Sequence, residues 1–124
     1  MEGRFAFFDG RIVPVEDARV SVRTHAFNYG TGCFEGIRAY WSDDEDQLLV
    51  FQLREHFERF LRSCRMLFIE LPHSADELVA ITLELLRAEG FRTDTYIRPL
   101  AYKADEKIGV KLHDITNAVT IFAT

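Results

Sequence analysis

The densest run of chemically useful side chains is His25-Ala26-Phe27-Asn28-Tyr29-Gly30-Thr31-Gly32-Cys33-Phe34-Glu35-Gly36-Ile37-Arg38-Ala39-Tyr40. Glycine lets backbone come close to a ligand or a second chain. Phenylalanine and tyrosine wall a pocket, and the phenol keeps a polar tip. The segment therefore reads as one side of a small-molecule site. It is not a nucleotide loop. Gly30, Gly32 and Gly36 are spaced G-x-G-x-x-x-G, a strand pattern follows instead of a helix, and no Lys-Ser/Thr pair completes a P-loop.

Two other places could bind an anion. Arg59 lies on a helical pattern but off its apolar stripe, where it either pairs with Glu55 at i, i+4 or faces a ligand. Tyr96 and Arg98 are two apart on a strand pattern and so share a face. That pair can hold a carboxylate, or Arg98 can belong to a cross-strand ion pair. His25 could serve as a general base, but with no evident carboxylate or nucleophile partner it reads better as a structural residue that orders the loop. Cys33 beside Phe34 reads as a small buried residue. His56, His73 and His113 are too scattered for a metal site, and Ser-His-Asp or Cys-His catalysis has no local support.

The elements that must position these residues are legible from periodicity and turn chemistry. Phe5 to Phe8, Asp9-Gly10 and Arg11 to Val15 form a hairpin pattern around a type I′ pair. Val20 to Thr24 reads as a short extended piece, Phe34 to Trp41 as one strand, Ser42 to Asp46 as a polar turn, and Gln47 to Gln52 as a returning strand. Leu53 to Ile69 is a predicted helix whose stripe is Leu53, Phe57, Phe60, Leu61, Cys64, Leu67 and Phe68. Ser74-Ala75-Asp76-Glu77 is a capping box that opens a second helix, with Leu78, Thr82, Leu85 and Leu86 inward and Gly90 as its stop. Thr93 to Ala104 and Ala118 to Ala123 read as strands flanking a polar loop, Asp105 to Asp114. The expected fold is α+β: a mainly antiparallel sheet with two helices packed on one face.

At 124 residues and 48% apolar, with eleven Phe, the chain can build a real core as one domain. Its net charge of −5 argues against a nucleic-acid partner. Twelve arginines against three lysines suit bidentate recognition of carboxylate or phosphate, although a compositional bias explains most of them equally well. Cys33 and Cys64 are too few for a secreted disulfide scaffold and are expected to be reduced thiols in a cytoplasmic protein. No signal sequence and no apolar run of membrane-spanning length is evident. The end at Thr124 directly after a strand suggests a piece of something larger.

The run His25 to Tyr40 resembles the branched-chain amino acid aminotransferases, fold-type IV (class IV) enzymes that use pyridoxal 5′-phosphate. Phe8-Asp9-Gly10 and Glu16-Asp17-Ala18 match that family's opening, Glu55-His56 through Arg59 its phosphate-arginine helix, and Tyr96-Ile97-Arg98-Pro99 its third motif. The resemblance thus extends over the whole chain. It implies that Arg59 binds the cofactor phosphate and that Tyr29 and Phe34 line the substrate side-chain pocket. It also implies that Arg98, with Tyr96 beside it, receives the distal carboxylate of glutamate. Arg38 would be structural or interfacial. The loop around Gly109 and Val110 would reach toward the active site of the neighbouring subunit in a homodimer or higher oligomer.

The implied activity moves an amino group from Leu, Ile or Val to 2-oxoglutarate, through a lysine that carries the cofactor covalently. Lys103, Lys107 and Lys111, in or beside the polar loop, do not match that lysine. Residues 1–124 then correspond to the small N-terminal domain, with the cofactor-lysine domain absent. Alone the chain is expected neither to hold the cofactor covalently nor to transaminate, and to expose an apolar face where the second domain packs. Two alternatives stand beside this reading. One is another enzyme of the same fold: a D-amino-acid aminotransferase, an amine transaminase or an aminodeoxychorismate lyase. The other is a non-catalytic binding or dimerisation module. Tyr29, Phe34-Glu35-Gly36-Ile37-Arg38 and Tyr96-x-Arg98 favour the branched-chain type.

Overall fold

The computed structural model describes residues 2–124. Strand β1 (Phe5–Phe8) pairs with β2 (Arg11–Pro14) through a turn in which Asp9 and Gly10 have φ of 51° and 81°, the geometry that Asp-Gly favours. Val15 leaves the hairpin early, in a short 3₁₀ turn, Val15–Asp17. The later strands are β3 (Gly32–Phe34), β4 (Ile37–Ser42), β5 (Gln47–Val50), β6 (Thr95–Lys103) and β7 (Asn117–Ala123). All pairings are antiparallel, in the order β2-β1-β7-β6-β4-β5, and β3 also pairs with β6. The predicted α+β class with two long helices on the sheet stands.

Those helices are α2 (Leu53–Met66) and α3 (Ala75–Glu89). Leu53, Phe57, Phe60 and Cys64 of α2 recur at spacings of three and four and are buried against Ile37, Ala39, Ile97, Ala101, Val119 and Ile121 of the sheet. Ser74 accepts from the Glu77 amide at 3.1 Å, and the Glu77 carboxylate accepts from the Ser74 amide, so the capping box forms as expected. Gly90 ends α3 in the left-handed region. Glu89, buried at the end of α3, accepts from the amides of Arg4 and Phe5 and pins the first strand to the helix layer.

Four expectations change. Val20 to Thr24 forms no strand; it leads into a five-residue helix, α1 (His25–Tyr29), which the sequence reading missed. The helix is too short to show periodicity, and its stop is Gly30, whose φ of 66° suits a residue without Cβ. The predicted single strand from Phe34 to Trp41 is two strands, broken at Glu35-Gly36. Helix α2 stops at Met66, not Ile69, because Phe68 turns left-handed (φ 56°) and its ring, expected inward, is 65% exposed. Lys103, expected in or beside a polar loop, ends β6 fully buried, and its Nζ donates to the Phe68 carbonyl at 2.5 Å.

Candidate active site at the β3–β4 break

Strand alternation sorts the sheet into two faces. Ile97, Ala101 and Lys103 of β6 lie on the helix-bearing face, whereas Tyr96 and Arg98 lie on the other. On β3, Cys33 points toward α2, with its Sγ 3.7 Å from that of Cys64, and Phe34 points away. Both cysteines are free thiols. The break after Phe34 is held by one backbone bond, the Glu35 amide donating to the Pro99 carbonyl at 3.2 Å.

Three successive residues at this break each meet one expected site residue. The Phe34 ring lies under Arg98, with the guanidinium carbon 3.9 Å from the ring centroid. The Glu35 carboxylate, only 5% exposed, accepts from Arg59 through Nε at 2.9 Å and Nη2 at 2.7 Å. Gly36 faces Tyr96, and a Cβ at this position would sit 2.5 Å from the phenol oxygen. Only glycine leaves that ring in place.

The two arginines are held differently. Arg98 donates from Nη2 to the Tyr96 hydroxyl at 2.6 Å, and its buried Nε has no hydrogen-bond partner. Among the described residues no carboxylate forms an ion pair with Arg98, so the cross-strand alternative falls away. The site keeps a positive charge, flanked by a phenol and an aromatic face, ready for a carboxylate. Arg59 does have an acidic partner, but it is Glu35 and not the expected Glu55. His56, one helical turn before Arg59, shares the same carboxylate, with Nδ1 2.7 Å from Glu35 Oε1. Since an ionised carboxylate only accepts, Nδ1 carries the proton. Burial pushes the Glu35 carboxyl up, but the hydrogen bonds from Arg59 and His56 outweigh it and the net position is below the usual carboxylate range.

Tyr29 is bonded to the loop after β6, away from the contacts of the two arginines. His25 is fully buried; its Nε2 donates to the Gly109 carbonyl at 2.6 Å, and Nδ1 lies 2.7 Å from the Thr31 hydroxyl. The Tyr29 hydroxyl accepts from the Gly109 amide at 2.7 Å. His25 is thus the loop-ordering residue expected, and Gly109 is anchored to α1 while Ile108 and Val110 stay 72% and 83% exposed. Arg38 pairs with Tyr96 across β4 and β6 and is exposed. Among the described residues no group of His, Cys, Asp and Glu could hold a metal ion, and no helix is long and apolar enough to cross a membrane.

The partners Glu35 and His56 escaped the sequence reading. A signal existed for His56, which sits three residues before Arg59 on the same helical face. None existed for Glu35, which is twenty-four residues away in the chain.

Comparison with known proteins shows the family. The family model for class IV amino-transferases matches residues 32–124. A probable branched-chain-amino-acid aminotransferase of Aquifex aeolicus is 53% identical over 118 residues, which are 95% of this chain and 38% of that protein. The crystal structure of a branched-chain aminotransferase from Thermoproteus uzoniensis with norvaline superposes with a TM-score of 0.91 at 42% identity, covering 98% of this chain and 40% of the other. A branched-chain amino acid aminotransferase from Thermobaculum terrenum, in its PLP-bound holo form, gives a TM-score of 0.88 at 31% identity, covering 98% and 40%. The chain spans about two fifths of the length of the relatives it matches. It belongs to the class IV aminotransferase family, beside that family's branched-chain members.

Proposed function

We infer that this chain is the small N-terminal domain of a cytoplasmic branched-chain amino acid aminotransferase, a homodimer or higher homo-oligomer, that passes the amino group of Leu, Ile or Val to 2-oxoglutarate with pyridoxal 5′-phosphate. The observation that carries this reading is Arg98: a fixed guanidinium without a carboxylate partner, stacked on Phe34 and bonded to Tyr96. A second carboxylate on the acceptor acid completes that site, whereas the apolar side chain of a branched substrate packs on Phe34 and Tyr29.

The residues present fit the cofactor. Arg59 has Nε and Nη2 occupied by Glu35 and a side chain 61% exposed, which leaves its outer edge for the phosphate. When bound, the cofactor supplies the electron sink for removing the Cα proton. Arg59 would hold its phosphate, Tyr96 and Arg98 would bind and orient the acid, and Phe34 and Tyr29 would exclude water from the side chain. Lys103 does not fit the cofactor lysine, because its amine is fully buried and donates to the Phe68 carbonyl. We therefore infer that the chain alone is inactive. The exposed Val110, on the loop anchored at Gly109, would reach the neighbouring subunit.

The complete polypeptide should be assayed side by side with L-leucine, D-alanine and aminodeoxychorismate. Turnover of L-leucine with 2-oxoglutarate is expected, and preference for either other substrate overturns the reading in favour of a same-fold relative. Residues 1–124 alone should show no absorbance band abolished by borohydride.

A further inference from the structure

Glu35 has a buried carboxylate on a segment that otherwise touches ligand-facing residues, and no part of the transamination chemistry requires it. Its position is unusual. It lies in the two-residue break between β3 and β4, fixed through its own amide to Pro99 of β6, and its side chain crosses to α2. There it accepts three bonds, two from Arg59 and one from His56. A guanidinium held through Nε and Nη2 cannot rotate about its own axis, so its remaining nitrogen, Nη1, has a fixed direction. The surrounding cavity, about 230 Å³, is lined by Gln52, Glu55, His56, Arg59 and Arg62.

A carboxylate beside a phosphate-binding arginine lowers the local positive potential, so attraction of the anion is not its use. Orientation is. Resting on the aminotransferase reading above, we propose that Glu35 is the positioning residue of Arg59: it clamps two of the three guanidinium nitrogens and so presents Nη1 to the cofactor phosphate. The same peptide unit carries Phe34 under Arg98. Glu35 therefore also sets the separation between the phosphate end of the site on α2 and the carboxylate end on β6. His56 supports the clamp by donating to Oε1 as well. Two orienting contacts on a partly exposed arginine remove rotamer freedom that a flexible side chain would otherwise lose on binding.

The test compares pyridoxamine 5′-phosphate with pyridoxamine, which bind without a covalent bond, on the complete polypeptide by equilibrium titration. The ratio of the two dissociation constants isolates the phosphate contribution. In Glu35→Gln that ratio is expected to fall tenfold or more while pyridoxamine affinity stays within twofold. Glu35→Asp should recover part of the loss. Equal weakening of both ligands, or an unchanged ratio, overturns the proposal. Should Glu35→Gln fail to fold, Arg59→Lys carries the test, because lysine keeps the charge but cannot make the clamped fork. It should lose the phosphate preference as Arg59→Gln does, and retention of the preference overturns the proposal. A wild-type protein with no phosphate preference, or one in which Arg59→Gln leaves it intact, overturns the aminotransferase reading as well. If wild type and Arg59→Gln behave as expected but Glu35→Gln and Arg59→Lys bind like wild type, the failure belongs to Glu35 alone.

Discussion

Arg59 and Arg98, the two arginines proposed to bind anions, are held in opposite ways. Arg59 projects from α2 with 61% of its side chain exposed and is clamped by a buried carboxylate. Arg98 sits on β6, partly buried, held by a ring face and a phenol, with its charge unneutralised. The difference teaches what each can do. An exposed arginine has conformational freedom to lose, so a clamp improves its aim, and water already screens its charge. A half-buried arginine between aromatic groups is fixed by packing, and a carboxylate partner there would cancel the charge that the proposed carboxylate ligand would meet.

The largest expected effect is at Arg98. In the complete polypeptide, Arg98→Gln removes a charge-assisted bond of about 1.5–3 kcal/mol. The KM for 2-oxoglutarate should rise roughly 10–100-fold, with a much smaller change for the monocarboxylic 2-oxo acid of leucine. Steady-state kinetics with both acids checks this, and equal rises break the comparison.

Next is the acid side of Arg59. Glu35→Gln should cost about 1.5–3 kcal/mol of stability at pH 7 by denaturant unfolding of this chain, the worth of hydrogen bonds to a charged group. The folded Glu35 carboxyl lies below its ordinary position, so its stabilisation is fully present above the ordinary glutamate pKa of ~4.3 and is lost as the pH falls through the folded value. The gap between wild type and Glu35→Gln should therefore close on acidification. Arg98→Gln should show no such window, since no carboxylate titrates against Arg98.

Gly36→Ala presses a methyl group on the Tyr96 hydroxyl and so reaches Arg98 but not Arg59. It should destabilise by about 1–3 kcal/mol, as overpacking does. Tyr96→Phe in the same background should recover part of this, as urea titration of both variants would reveal. The smallest effect is at the Tyr29–Gly109 contact, which involves neither arginine. Tyr29→Phe removes the bond from the Gly109 amide and should cost about 1 kcal/mol locally. It should speed hydrogen exchange at Gly109 several-fold while α2 and β6 stay protected.

Much of the framework was legible before any coordinates. The α2 stripe from Leu53 to Cys64, the capping box of α3 and the Asp-Gly turn are patterns of residue type at short spacing, and these formed as read, whereas the expected inward Phe68 did not. The motifs that resemble the family were legible for the same reason, since side-chain types at fixed spacing are a property of the chain alone. Helix α1, with a single turn, was not legible, nor was the interruption at Glu35-Gly36 within an otherwise strand-like run.

What only the tertiary structure decided is which charges meet. Glu55 lay at helical spacing from Arg59, and yet the partner is Glu35, brought in by the pairing of β3 and β4 with β6. Lys103, read at the end of a strand beside a polar loop, is buried just past the end of α2, where burial lowers its pKa. Sequence determined the longer elements and the side chains that could do chemistry. Which arginine is clamped and which is left open depended on contacts between residues far apart in the chain, and those contacts exist only once the sheet has closed against α2.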